Sequence, residues 1–299
     1  MKVLVTGGTG LLGWWLAKTF YDKGFNVHAT CHSKQPTGLE NVSWHRLDLE
    51  DPQSIVGVIE EVKPEVVVHS AAYTEVDGCE LDKARAYRVN YLGTKALALA
   101  SQGVEFFVYI STDYVFDGVR GMYGEDDVPS PANFYGLSKL LGEVAVESVL
   151  GDRSCVVRVS GLYGYSPTGK RNFGINALEK LLRGEEVKAF HDQWLSPTYV
   201  RFLAKAIARI VERRIPGILH VAGERVSRYE FALRLAEVLG VDRGLVKPVS
   251  MDEVKLVARR PRDSSLDTSK ARGLGIELPP LEECLRDFAV TYRKLSGME

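Results

Sequence analysis

The sequence predicts an α/β fold: a doubly wound parallel sheet with helices on both faces, followed by a smaller C-terminal lobe. Three observations carry this expectation. Short β-rich runs alternate with helix-length stretches through the first 160 residues, and strands spaced this way imply a parallel sheet covered on both sides. The first run passes directly into a glycine cluster, residues 7–13, and then into a helical pattern. After residue 160 the alternation loosens, as glycine, proline and charged residues interrupt it.

In chain order, residues 3–5 read as a buried strand and 11–21 as the first helix. Strands follow at 25–30 and 42–47, a helix at 52–62 and a strand at 66–68. Residues 81–100 read as one long helix, 106–110 as a strand, 135–150 as a helix and 156–159 as a strand. In the second half, 200–213 and 229–239 read as short helices.

Composition narrows the class. Of 299 residues, 45% are hydrophobic and 26% charged, as in soluble globular proteins. The formal net charge is -1, with lysine and arginine spread along the chain. A nucleic-acid partner would want a concentrated basic face, so none is expected. No apolar run approaches the ~20 residues that span a bilayer, so no membrane partner is expected either. The chain enters a strand pattern at once, without a signal-peptide pattern, which points to a cytoplasmic protein. Cys31, Cys79, Cys155 and Cys284 are scattered without a C-x-x-C spacing. Reduced structural thiols and no metal site are the expectation.

The glycine cluster reads Gly7-Gly8-Thr9-Gly10-Leu11-Leu12-Gly13. Glycines permit a tight turn and close backbone approach to a pyrophosphate, while a helix N-terminus supplies free N–H groups and a favourable dipole. A glycine cluster alone could be an ordinary turn. Strand, turn and helix in this order are the confirming context. Residues 1–160 are therefore expected to form an NAD(P)-binding Rossmann-like domain. Residues 161–299 are expected to form a substrate-binding lobe, interleaved with the Rossmann core around 186–222. The G-x-x-G-x-x-G spacing resembles that of the extended short-chain dehydrogenase/reductase superfamily.

The end of the second strand chooses between cofactors, because an acid there would hold a free ribose 2′-hydroxyl. The run is Thr30-Cys31-His32-Ser33-Lys34, with no acid before Glu40. Ser33 and Lys34 suit a 2′-phosphate, so NADP(H) is the preferred cofactor and NAD(H) stays open. Asp48-Leu49 follows the third strand, and the superfamily resemblance implies that Asp48 contacts the adenine.

Tyr135 and Lys139 lie four apart on a predicted helix and project from one face. Reduction of a ketone needs a proton donor. A tyrosine of pKa ~10 serves at neutral pH when a nearby cation lowers it. Lys139 could do this and also hold the nicotinamide ribose. A Tyr-x-x-x-Lys spacing is common by chance. Ser111-Thr112-Asp113, at the C-terminal end of the 106–110 strand, makes it more specific, since ligands of open α/β sheets gather at that edge. The Thr112 hydroxyl could bond the substrate oxygen beside the tyrosine.

With these motifs in place, the chain resembles the dTDP-4-dehydrorhamnose reductase family nearly end to end. The likeness includes residues 71–77 (AAYTEVD), 111–118 (STDYVFDG), Tyr135-Gly136, Arg158 with Leu162-Tyr163-Gly164, Asp192-Gln193 with Pro197-Thr198, and 260–267 (RPRDSSLD). The resemblance implies NAD(P)H-dependent reduction of a nucleotide-linked 4-keto-6-deoxy sugar, in dTDP-rhamnose biosynthesis. It assigns Thr112, Tyr135 and Lys139 to catalysis. It assigns Gly7, Gly10, Leu11, Leu12, Gly13, Asp48, Leu49, Ala72, Tyr73 and Thr74 to the cofactor, with Thr9 and Ala71 beside them. Thr112 and Asp113 match sugar contacts, and Asp192, Gln193 and Thr198 fall where the lobe closes on substrate. A loop that merely caps a helix is the other reading of Asp192-Gln193.

One position departs from the family, which often carries a tryptophan after Arg-x-Ser. Here Arg158-Val159-Ser160 is followed by Gly161. A glycine supplies no wall to a sugar pocket, so either another aromatic such as Trp194 compensates or the substrate differs. An aromatic restored at 161 is expected to stack on the relatives' sugar, or to abolish activity if the pocket takes a larger ligand. Other readings remain. A dehydratase would want Asp-Glu where this chain has Asp113-Tyr114. A sugar-nucleotide epimerase is an alternative, and so is a non-catalytic NADP-binding subunit, since the chain also resembles the methionine adenosyltransferase β subunit. A homodimer is left open.

Overall fold

The computed structural model describes residues 1–32 and 38–297. The chain opens with β1 (Lys2–Thr6), α1 (Leu11–Asp22), β2 (Asn26–Cys31), β3 (Ser43–Arg46), α2 (Pro52–Val62) and β4 (Val66–His69). Helices α3 (Val76–Leu81), α4 (Lys83–Ala86) and α5 (Thr94–Ala100) follow, then β5 (Phe106–Thr112), α6 (Phe134–Leu150) and β6 (Ser154–Val159). The second half begins with β7 (Leu162–Tyr163), α7 (Phe173–Leu182), β8 (Val187–Phe190), β9 (Trp194–Leu195) and β10 (Thr198–Tyr199). It continues through α8 (Val200–Arg213), β11 (Gly217–His220), β12 (Val226–Ser227) and α9 (Arg228–Leu239). Strand β13 (Val246–Val249) and helices α10 (Ser269–Gly273) and α11 (Leu281–Ser296) complete it.

Seven strands form one sheet in the order β11-β6-β5-β4-β1-β2-β3. Every neighbouring pair is parallel. All seven residues of β5 and all four of β4 are buried, as helices on both faces require. On one face α1 and α8 pack through Trp14, Phe20, Leu203 and Ile207. On the other, Ile55, Val58, Leu97 and Val146 join α2, α5 and α6 to the sheet. The lobe has its own core, in which Leu178, Phe231, Leu235 and Phe288 bring α7, α9 and α11 together. Between its two stretches the chain returns to the sheet, because β11 pairs with β6 and α8 packs on α1.

The expected single helix at 81–100 is different. The helical stretch begins at Val76, stops before Asp82 and resumes as α4, whose first turn Asp82 caps by accepting from the Arg85 N–H at 2.9 Å. A π-turn over Tyr87–Gly93 follows. Such turns often mark functional sites, and this one holds the buried Asn90.

No helix among the described residues is long and apolar enough to cross a membrane. The four cysteines are free and buried, and burial pushes the thiols of Cys79, Cys155 and Cys284 up to about 12.

Candidate active site

The turn after β1 is built for an anion. Gly7 and Gly8 N–H groups bond the Thr30 hydroxyl and carbonyl at 3.1 and 2.9 Å, and Gly10 N–H bonds the Gly7 carbonyl at 2.8 Å. Gly10 starts α1 without a side-chain cap, and the first turn has no acidic residue. The helix N-terminus therefore presents its dipole and free N–H groups unspent. Gly13 packs where any Cβ would strike the Gly7 carbonyl oxygen, so this close turn requires a glycine. Thr9 and Leu11 are partly exposed beside it, whereas Leu12 is buried.

The neighbouring strand ends supply the rest of this edge. Ala71 N–H bonds the Thr6 hydroxyl at 3.2 Å, and Ala72 and Tyr73 follow partly exposed, with Thr74 exposed. Asn90 clamps Tyr73 by accepting from its N–H at 2.8 Å and donating to its carbonyl at 2.9 Å. Its amide also reaches the Ser138 hydroxyl on α6 at 3.0 Å. After β3, Asp48 and Leu49 lie partly exposed, with Asp48 Oδ1 accepting from the Glu50 N–H at 2.9 Å. Ser33 and Lys34 lie outside the described residues.

The second cluster stands at the ends of β5 and α6. Asn133 caps α6 by accepting from the Gly136 N–H at 2.9 Å, which sets Tyr135 in the first turn. Burial holds the Tyr135 phenol well above its ordinary value, with the neighbouring Thr112 hydroxyl opposing and the Asp113 carboxylate adding to the rise. Tyr135 is thus held protonated. Lys139 is not among the groups that set this proton, contrary to the sequence expectation. Its Nζ lies 4.0 Å over the Tyr109 ring, and burial brings its pKa down to about 7, with Glu143 opposing. His69, at the end of β4, is bonded to Thr6 and Thr94 at 2.7 and 3.0 Å. Burial and Lys139 hold it neutral, at about 3.

Asp113 is 3% exposed. It accepts from Thr112 at 3.1 Å, Ser160 at 2.7 Å and Ser264 at 2.5 Å. This orients the Thr112 hydroxyl, which also accepts from the Tyr114 N–H at 3.2 Å. Burial raises the Asp113 pKa against these donors.

The structure brings Thr112, Asp113 and Tyr135 together, with Lys139 one turn further along α6, and the lobe residues bond elsewhere. Asp192 accepts from Ser250 Oγ and the Met251 N–H at 2.7 and 2.9 Å and pairs with Arg262 at 3.0 Å. Thr198 is fully buried, its hydroxyl donated to the Ser196 carbonyl at 2.9 Å. Gln193 lines a cavity.

That cavity, about 440 Å³, lies between Phe173, Lys188, Phe190, Gln193, Arg228 and Arg260, within the range of small-molecule sites. A second, about 180 Å³, is lined by Gly161, Leu162, Tyr163, Leu195 and Phe231 and shares Phe173 and Arg228 with the first. Arg260 pairs with Asp77 at 2.8 Å, while Arg228 has no carboxylate partner among the described residues. Gly161 has φ +50°, and a Cβ there would run into the Leu195 methyl. An aromatic restored at 161 would therefore strain the backbone, which obscures the comparison of the two outcomes expected for it.

Sequence reasoning missed Asn90, Glu143 and Arg228. Glu143 had a signal, since residues 135, 139 and 143 fall at four-residue spacing on one face of α6. Asn90 and Arg228 had none, because their contacts are tertiary.

The family model described as the RmlD substrate binding domain matches residues 1–294. The chain belongs to the RmlD family. It is 35% identical to a probable low-salt glycan biosynthesis reductase, Agl14, of Haloferax volcanii, over 99% of this chain and 100% of that one. It is 33% identical to the methionine adenosyltransferase 2 subunit beta of Xenopus tropicalis, over 92% of this chain and 83% of that one. Among solved structures, a dTDP-4-dehydrorhamnose reductase from Bacillus anthracis, in complex with NADP, superposes with a TM-score of 0.85 at 32% identity. That match covers 97% of this chain and 98% of the other. The RmlD-family fold is thus present from β1 to α11, and the resemblance to the dTDP-4-dehydrorhamnose reductase family holds.

Proposed function

We propose that this RmlD-family protein is a cytoplasmic, NADPH-dependent reductase of a nucleotide-linked 4-keto-6-deoxy sugar. The observation that carries the reading is the bonded pair Thr112–Asp113 at the C-terminal edge of β5, with Tyr135 beside it in the first turn of α6, on the same sheet edge as the uncapped glycine turn. The glycine turn fits a dinucleotide pyrophosphate, and Ala71 to Thr74 with Asp48 and Leu49 would flank it. NADPH, when bound, supplies the hydride. The chain's part is then the proton. Burial keeps it on the Tyr135 oxygen, and the Thr112 hydroxyl, held by Asp113, stands at the end of β5 beside it. As the carbonyl oxygen gains negative charge, the phenol donates to it. Lys139 would hold the nicotinamide ribose. In the larger cavity, Lys188 and Arg260 would meet the nucleotide's phosphates.

The test is oxidation of NADPH against a panel of nucleotide-linked 4-keto sugars. Turnover with at least one member, lost in Tyr135→Phe, is expected. No turnover with any would overturn the reading. A second reading is favoured by the likeness to the methionine adenosyltransferase subunit. In that case the protein would bind NADP without turning over sugar and would retain a partner enzyme in pull-down.

A further inference from the structure

The smaller cavity differs from the larger one. Leu162, Tyr163, Leu195, Pro197 and Phe231 give it an apolar floor. It lies next to the reacting centre: Ser160, the residue before Gly161, bonds Asp113 at 2.7 Å, and Asp113 bonds Thr112 at 3.1 Å. The Gly161 backbone, at φ +50°, is strained for any side chain, and a Cβ there would press on the Leu195 methyl, so the turn favours glycine and an open space. At the rim stands Arg228, stacked on Phe173 at 5.0 Å and bonded through Nε to Gln193. Its terminal nitrogens have no partner among the described residues, and its nearest charged neighbours include Asp113.

An apolar floor with one free cationic donor at the mouth selects a group with an alkyl end and a carbonyl oxygen at its base. The volume, about 180 Å³, is of the order that accepts a benzene ring, ~150 Å³. A phosphate would be stripped of water against Leu195 and Phe231 with one donor to compensate, which burial of a charge does not tolerate. We infer that this cavity is a subsite for an N-acylamino substituent on the sugar ring of the substrate. The methyl end lies on Leu195 and Phe231, and the acyl oxygen accepts from Arg228. This rests on the sugar-nucleotide reading above.

Calorimetry on the whole protein tests it, with dTDP-glucose and two dTDP-hexoses carrying an acetamido group at C2 or C3 as probes. One acetamido ligand is expected to bind about tenfold tighter than dTDP-glucose, the effect of ~1.4 kcal/mol. Leu195→Phe, which fills the floor, should bring that ratio to near one. Leu162→Phe, checked for folding by thermal melting, does the same from the opposite wall. Arg228→Leu should also shrink the ratio. Equal binding of all three ligands to wild type, or a preference that survives both fillers, would overturn the subsite while leaving the reductase reading intact. If dTDP-glucose and both acetamido ligands fail to bind, the sugar-nucleotide reading itself falls, and the subsite with it.

Discussion

Glu143 and Arg158 meet inside the protein as a two-pronged ion pair, with Nη2 to Oε2 at 2.7 Å and Nε to Oε1 at 3.0 Å, both side chains 2% exposed. Ser111 donates to the same carboxylate. The pair ties α6, which carries Tyr135 and Lys139, to β6 and to the residue before Thr112. Removing one partner leaves a buried charge alone, a loss of ~3–5 kcal/mol. Arg158→Met should therefore lower the urea midpoint sharply, and Arg158→Met with Glu143→Leu should recover much of it. A double variant as unstable as the single one would show that the charges are not the cause.

Lys139 gives a pH signature. Burial lowers its pKa from 10.5 to about 7, while the unfolded chain keeps that proton to ~10.4. Below pH 7 both states are charged, and the full cost of burying the ammonium is present. Between 7 and 10 the folded state alone has lost the proton, so the unfolded state binds more protons and stability rises with pH. Lys139→Met should thus melt higher than wild type at pH 6, with the gap closing toward pH 10. A gap independent of pH would contradict this.

Tyr135→Phe keeps the ring packed near Tyr114 and removes only the donor. Turnover should fall ~10²–10⁴-fold, the usual range for general acid catalysis, while NADPH affinity stays as in wild type. Both are read from initial rates and calorimetry on one preparation, and near-normal turnover would sink the role.

Ser264→Ala removes one of the three hydroxyls on Asp113. Hydrogen bonds to charged groups contribute ~1.5–3 kcal/mol, and a drop of that size in unfolding free energy is expected. Turnover should fall as well, because Asp113 orients Thr112. Ser264→Thr should restore both.

Lys34→Ala tests the cofactor expectation drawn from the 30–34 run. NADPH should weaken about ten- to hundred-fold, the loss of one charge-assisted bond to phosphate, and NADH should not change. Equal effects on the two dissociation constants would place Lys34 away from the 2′-phosphate.

Much of the sheet was legible because its signals are local. Buried strands are short apolar runs, and the glycine turn sits where strand passes to helix. The place of the candidate site was legible through Thr112 and Tyr135, which the structure sets at adjoining ends of β5 and α6. What sequence could not reach was tertiary. Asp82 breaks the helical stretch because its side chain caps a new turn, and Asn90 sits in a π-turn through bonds to Tyr73 and Ser138. Four-residue spacing placed Lys139 on the face of Tyr135, but the Tyr109 ring, from another strand, decides where the ammonium rests. Arg228 matters through its place between the two cavities and its bond to Gln193, which no sequence pattern encodes.

The return of α8 and β11 to the sheet makes the two halves inseparable in a practical sense. A chain cut at residue 160 would leave β6 as a bare edge, able to template aggregation, and would uncover the face of α1 that Leu203 and Ile207 protect. The lobe could not be exchanged for another as a cassette, because its two stretches are joined through the sheet. New specificity in such an architecture has to arise by substitution in place, at positions such as 161, 195 and 228, rather than by recombination of modules.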